Sequence, residues 1–289
     1  MLLNLKEILS DARKNEYAVF ATNAFNFDSA EAIIRAAEET QSPVVLMVSQ
    51  PLFKFFNFEK LITPLISLAK DASVPVAVNL DHGNNMDIIM KCIDAGVSSV
   101  MFDGSALPLE KNIRITRELT KIAHTKGVSV EGEVGVVDGL EGSFVNEDHA
   151  RRKNDFTKTE DAEKFVEETG VDALAIAVGT VHGVFASKPD IDFERITEIR
   201  RAVKTPLVLH GCSGLSDDDF RKVIRNGVNK INYFTNLVIE ATRAAKEEIN
   251  GATDVNYLDL NVHAMEAIKD MIKGIMYVIG SSGKGRLRY

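Results

Sequence analysis

Val76-Ala77-Val78-Asn79-Leu80-Asp81-His82 is a nearly continuous apolar run that ends on two chemically active residues and is followed by Gly83. A strand facing water on one side alternates apolar and polar residues. A run without that alternation suits a parallel strand covered on both faces by helices. The same pattern recurs along the chain, giving eight candidate strands at 18–25, 44–49, 76–82, 99–103, 129–135, 173–179, 207–211 and 230–234. Amphipathic stretches lie between them, among others at 29–39, 58–70, 109–125, 159–169, 192–202, 216–226 and 236–249. Eight strand–helix units in about 250 residues, with an extra helix at each end, predict an α/β fold: a single (β/α)8 TIM barrel spanning 1–289. A doubly wound sheet would need a glycine-rich dinucleotide turn after the first strand. Asn23-Ala24-Phe25-Asn26-Phe27 is not one.

The composition narrows the function. With 34 basic against 42 acidic residues the formal charge is −8. Nucleic acid and anionic membrane both call for a concentrated basic footprint, so neither is expected as a partner. A small anionic substrate in a local pocket remains compatible. The start, Met1-Leu2-Leu3-Asn4-Leu5-Lys6-Glu7, reads as an amphipathic helix and not as a signal peptide. No apolar stretch reaches the ~18 residues that span a bilayer. Cys92 and Cys212 lie far apart without metal-type spacing, which reads as two reduced thiols in a cytoplasmic protein.

Of six histidines, three fall at the C-terminal ends of predicted strands: His82, His182 in Gly179-Thr180-Val181-His182-Gly183, and His210 in His210-Gly211-Cys212-Ser213-Gly214. Strand C-termini of a barrel converge on one mouth, where active sites lie. A single such histidine reads most simply as a hydrogen-bonded structural residue. Three at one mouth, each followed by glycine, match a catalytic zinc site with an open fourth position. His124, His149 and His263 fall in helical or loop stretches and read as surface or structural. Glu131 and Glu133 share one face of their strand, and carboxylates inside a barrel need a charge partner or a metal. The stretch 136–155 is too long and polar for an ordinary connection and reads as a lid.

Leu80-Asp81-His82-Gly83, Glu131-Gly132-Glu133-Val134-Gly135, the two later histidine motifs and Lys230-Ile231-Asn232 occur in the order found in class II ketose-bisphosphate aldolases. The chain resembles the fructose- and tagatose-bisphosphate branch of that family over nearly its whole length. Asn26 in Ala24-Phe25-Asn26, Ser49, Asp103-Gly104-Ser105 and Gly280-Ser281-Ser282-Gly283 also fit. The resemblance implies one catalytic Zn2+ per subunit on His82, His182 and His210. Glu133 would be an alternative ligand position, and Asp103 would stand behind the ligands. Asp81 would move the proton of the hydroxyl on the cleaved carbon. Glu141, in the lid sequence Asp138-Gly139-Leu140-Glu141, would exchange a proton with the enediolate carbon. A monovalent cation near the zinc and a homo-oligomer, dimer or tetramer, are implied in the same way.

Loops after strands seven and eight of a barrel commonly hold phosphate. Here they offer Gly211 and Ser213, then Asn232 and Thr235, with Gly183 after the second ligand and Asn26 and Ser49 after strands one and two. Three positions depart from the family pattern: Phe234 before the threonine, Phe185-Ala186-Ser187-Lys188 after the second histidine, and Cys212 in place of a glycine. These departures predict a ketose lacking a 1-phosphate, cleaved to dihydroxyacetone and an aldehyde; the resemblance implies 6-deoxy-6-sulfofructose as an example, since one branch of the family acts on it. Arg286 and Arg288 are the nearest candidates for its distal anion, although a solvated tail is the simpler reading. The alternatives are an ordinary fructose- or tagatose-1,6-bisphosphate aldolase and a sugar-binding homologue without turnover. A zinc hydrolase on the same barrel would carry a His-x-His pair after strand one, and 23–28 has none.

Overall fold

A computed structural model describes residues 1–54, 57–139, 155–183, 189–251 and 253–286. Among them, eight parallel strands close into a barrel in sequence order. They are β1 (Val19–Asn23), β2 (Val44–Ser49), β3 (Val76–Gly83), β4 (Ser99–Phe102), β5 (Ser129–Val134), β6 (Ala173–Ile176), β7 (Leu207–Leu209) and β8 (Val228–Asn232). β1 pairs β8 through Phe20–Ile231 and its neighbours, which closes the ring. The expected TIM barrel is the fold. Several strands stop short of their expected ends, as β6 and β7 do, because the backbone leaves the ladder to form the loops of the mouth. β8 starts earlier than expected because a register shift against β7 admits one extra residue, pairing Val208 with Lys230.

Strand alternation sorts the side chains into two sets. Val44, Leu46 and Val48 of β2 face the surrounding helices, whereas Val45 and Met47 face the barrel interior with Val19, Ala21, Ala77, Ala173, Ala175 and Val208. The lower interior is closed by α1 (Leu5–Lys14), whose Leu5, Ile8, Leu9 and Ala12 join that inner cluster. Helix α1 begins later than the sequence suggested. Leu2 bridges Val76 as extended chain, and Asn4 caps the helix in a reciprocal box with Glu7.

The outer helices follow: α2 (Phe27–Thr40), α3 (Phe58–Asp71), α4 (Met86–Ala95), α5 (Leu109–Thr125), α6 (Thr159–Thr169), α7 (Phe193–Ala202), α8 (Asp217–Arg225), α9 (Thr235–Gly251) and α10 (Tyr257–Val278). α10 packs on α9 and α2. Beyond it the tail is pinned at the foot of the barrel, where Gly283 N–H donates to Thr40 O and Gly285 N–H to Gln41 O. Gln41 ends α2 and leads into the start of β2. Arg286 therefore sits at the opposite end of the barrel from the histidines and is not placed to hold a substrate anion; Arg288 lies outside the described residues. No described helix is long and apolar enough to cross a membrane.

Candidate active site

His82 sits at the end of β3 with a left-handed backbone, φ 49°. A non-glycine residue there costs about 1–3 kcal/mol, and such strain collects where the surrounding structure dictates a side chain's direction. The cause is a break in the β3–β4 register between Leu80 and Gly83. Gly83 is required next: a Cβ on it would lie 2.7 Å from Met101 O. The kinked chain turns the His82 ring inward.

His182 and His210 arrive on the loops after β6 and β7. The His182 N–H donates to Asp138 O at 2.8 Å, so the segment leaving β5 docks on this loop. Gly139 and Gly211 both have positive φ, and a side chain on either would collide with backbone, of His182 and Val181 respectively. Glycine is needed at both for the loops to meet. The three imidazoles end edge to face, with centroids 4.9 Å (82–182), 4.8 Å (82–210) and 5.8 Å (182–210) apart. One nitrogen from each lies within 4.8 Å of the others.

Each ring is held from behind. His82 Nδ1 lies 2.9 Å from Asp103 Oδ2, and Asp103 is itself fixed by the Ser105 hydroxyl at 2.7 Å. His210 Nε2 lies 2.9 Å from Glu131 Oε1, and Lys230 Nζ donates to Glu131 Oε2 at 2.7 Å. His182 has a backbone hydrogen bond to Val137. This leaves His82 Nε2 facing His210 Nδ1 at 3.1 Å, while His182 Nε2 is buried with no hydrogen-bond partner among the described residues. Metal-binding histidines are oriented in this way, one nitrogen on a carboxylate or carbonyl and the other directed inward.

The electrostatics agree. Burial, followed by the neighbouring His82, pushes His182 well below the ordinary imidazole range, and burial lowers His210 too, so both favour the neutral, ligating form. Burial works against the Glu131 carboxylate, yet Lys230 and His210 outweigh it and pull the group down to about 2. Asp103 is likewise drawn down by His82 and Ser105 against burial. Glu133 goes the other way: burial, then the charge of Asp103, raises it well above the usual carboxyl range, and its Oε2 has no partner among the described residues. Glu133, Asp103 and His82 also form a second potential ligand group. Neutral imidazoles beside an orphaned buried carboxyl oxygen are what a divalent cation complements.

On the adjoining strands, Asp81 is fully buried at the end of β3 and registers with Ser49 of β2. Asn23 Nδ2, from β1, donates to Asp81 Oδ2 at 3.0 Å; Asp81 Oδ1 and Ser49 Oγ have no partner among the described residues. Asn232, at the end of β8, places its Nδ2 3.2 Å from His210 Nε2. Ser213 Oγ accepts from the N–H groups of Phe234 (3.2 Å) and Asn236 (3.4 Å), and Thr235 is the buried first residue of α9. Gly183 is buried directly behind His182. Asn26 behaves differently: its side chain caps α2 by accepting from Ser29 N–H at 2.8 Å. Asn23, three residues earlier, is the asparagine that reaches Asp81. Cys212 is buried in the outer core with its thiol 3.2 Å from Leu209 O. Glu141, His149 and Phe185 to Lys188 lie outside the described residues. His124 bonds Asp172 (2.7 Å), and His263 lies near Glu248 (3.4 Å), both apart from the cluster.

Sequence reasoning passed over Asn23, the pairing of Glu131 with His210, and Lys230. A lysine within a strand of a barrel was a legible signal, since such a charge stays inside only with a counter-ion.

The chain is similar to known proteins over nearly its whole length. The family described as fructose-bisphosphate aldolase class-II matches residues 3–284. The fructose-bisphosphate aldolase of Geobacillus stearothermophilus is 38% identical, with 98% of each chain covered. That of Staphylococcus epidermidis is 36% identical, with 99% of each covered. The crystal structure of the YdjI aldolase from Escherichia coli K12 superposes with a TM-score of 0.88 at 35% identity, covering 99% of this chain and 100% of that one. The chain belongs to the class II fructose-bisphosphate aldolase family, whose members are carbon–carbon lyases.

Proposed function

We propose that the protein is a zinc-dependent aldolase that reversibly cleaves a ketose into dihydroxyacetone, or its phosphate, and an aldehyde. The observation that carries this reading is the inward convergence of three back-braced histidines beside a buried aspartate, one oxygen of which has no partner among the described residues. His82, His182 and His210 would hold the ion, and Glu133 offers it an alternative position. Zinc supplies a Lewis acid for the carbonyl side of the bond that breaks. Asp81 takes the proton of the hydroxyl on the carbon that becomes the aldehyde. Asn23 holds one of its oxygens, so the other, Oδ1, is left for that proton. Glu141 returns a proton to the carbon of the departing half. Ser49 Oγ and Asn232 Oδ1, also without a partner among the described residues, orient sugar hydroxyls. We also read the chain as one domain working in a cytoplasmic homo-oligomer, dimer or tetramer, with a monovalent cation beside the zinc.

The substrate's first carbon is where two observations pull apart. The buried ring of Phe234 packs edge-on to Phe25 (centroids 6.4 Å, 61°) where the family pattern has a small or acidic residue. That supports a ketose with a free C1 hydroxyl, such as 6-deoxy-6-sulfofructose. The N–H groups of Phe234 and Asn236 nevertheless converge on Ser213 Oγ at the start of α9, an arrangement that suits an anion and supports an ordinary 1,6-bisphosphate. Cys212 favours neither.

A substrate panel decides. Zinc-loaded enzyme is assayed on fructose and tagatose 1,6-bisphosphates, fructose 6-phosphate and 6-deoxy-6-sulfofructose, with a chelator control. Chelator-sensitive cleavage is expected on at least one ketose. Preference for a free C1 hydroxyl makes Phe234 the determinant; cleavage confined to the bisphosphates removes that role. No cleavage of any member overturns the aldolase reading.

A further inference from the structure

Lys230 on β8 and Glu131 on β5 are separated around the barrel by β6 and β7, yet their side chains meet inside it, both fully buried. The intervening strands leave room. Ala173 registers with Glu131, and Val208 registers with Lys230, so the two strands between contribute small side chains at this level. The Lys230 ammonium occupies Glu131 Oε2 (2.7 Å) and leaves Oε1 for His210 Nε2 (2.9 Å). The order Lys230, Glu131, His210, His82 is continuous across the interior, the last step being 3.1 Å between ring nitrogens.

An imidazole has two nitrogens, and only the one without a proton can ligate a cation. A carboxylate on Nε2 places the proton there and aims the lone pair of Nδ1 at His82 and His182. We infer that Glu131, clamped by Lys230, is a positioning residue that fixes the His210 ring and tautomer for metal binding. This rests on the metal site proposed above. Glu131 touches no substrate in this role, and Lys230 acts only through Glu131.

Removing one partner of a buried ion pair leaves an uncompensated charge, whereas neutral replacement of both is tolerated. Two double variants therefore separate positioning from folding. In Lys230→Met/Glu131→Gln the glutamine oxygen still accepts from His210 Nε2. In Lys230→Met/Glu131→Leu that acceptor is removed. Zinc affinity of the apoproteins is measured by competition with a chromophoric chelator, with circular dichroism confirming the fold. The Gln variant is expected within about threefold of wild type and the Leu variant ~10–100-fold weaker, the usual cost of losing such a partner. Equal affinity of the two doubles overturns the inference. Absence of zinc binding by wild type instead sinks the functional reading on which it stands.

Discussion

At the foot of the barrel interior, Leu5, Ile8, Leu9 and Ala12 of α1 press against Val19, Val45, Ala77 and Val208, all of them fully buried. Two to four residues further along those strands, and on β5 and β8, the interior holds Asn23, Ser49, Asp81, Glu131, Glu133, His210, Lys230 and Asn232, none more than 3% exposed. The side chains named at both ends are out of water, but burial has opposite consequences. Each apolar side chain at the foot gains about 1.5–3 kcal/mol from leaving water. At the mouth, Ser49 Oγ, Asp81 Oδ1, Glu133 Oε2, His182 Nε2 and Asn232 Oδ1 find no partner among the described residues, at about 1–3 kcal/mol for each group left unpaired. The foot holds the barrel together, while the mouth keeps polar groups that have no partner among the described residues and that a cation and a substrate can satisfy.

The largest test of that division is Asp81→Asn. It keeps shape and burial but removes the proton acceptor, so cleavage should fall on the order of 10²–10⁴-fold, the usual contribution of a positioned acid/base. Zinc content by atomic absorption and the thermal midpoint should hardly move. A large drop in stability with little loss of turnover would make Asp81 a structural residue and erase the contrast between the ends.

Much of this contrast was readable before any coordinates. The apolar runs gave the barrel, and the three His-Gly steps marked one mouth, because strand ends and metal ligands leave strong local signals. Finer points were hidden where a residue's role depends on the non-local partner. Asn26 and Asn23 look equivalent in the sequence; only the end of β1 at Asn23 decides which side chain faces inward and which is spent on capping α2. Glu131 and Lys230 are 99 residues apart, and their pairing exists only once the barrel closes. Arg286 was a candidate for substrate contact until Gly285 was found bonded to Gln41 at the foot. Helix α4 went unnamed because its ten residues follow β3 after only two residues, though Asn85 is a good cap.

The foot supplies the next effect in size. Leu9→Ala removes a fully buried side chain of the inner cluster, and should cost about 2–5 kcal/mol in a urea titration, with the larger values where the cavity cannot collapse. The kcat of the remaining folded enzyme should be unchanged. Loss of kcat in step with stability would mean that the two ends are coupled.

The smallest effect sharpens the comparison through pH. In zinc-free protein, Glu133 has a folded pKa raised by burial above its ordinary 4.5. Below that ordinary value both folded and unfolded chains carry the proton, and the group contributes nothing. Above it the unfolded chain releases the proton while the folded one retains it, so stability falls as pH rises until the folded group also ionises. Glu133→Gln cannot titrate. Its urea midpoint relative to wild type should therefore move toward greater stability between pH 5 and pH 8, in chelator-treated samples of both. Titrations that the two proteins share cancel in the difference between them. A gap that stays constant or narrows with pH would place a compensating charge beside Glu133 and show that the mouth is less costly to the fold than its unpaired oxygens imply.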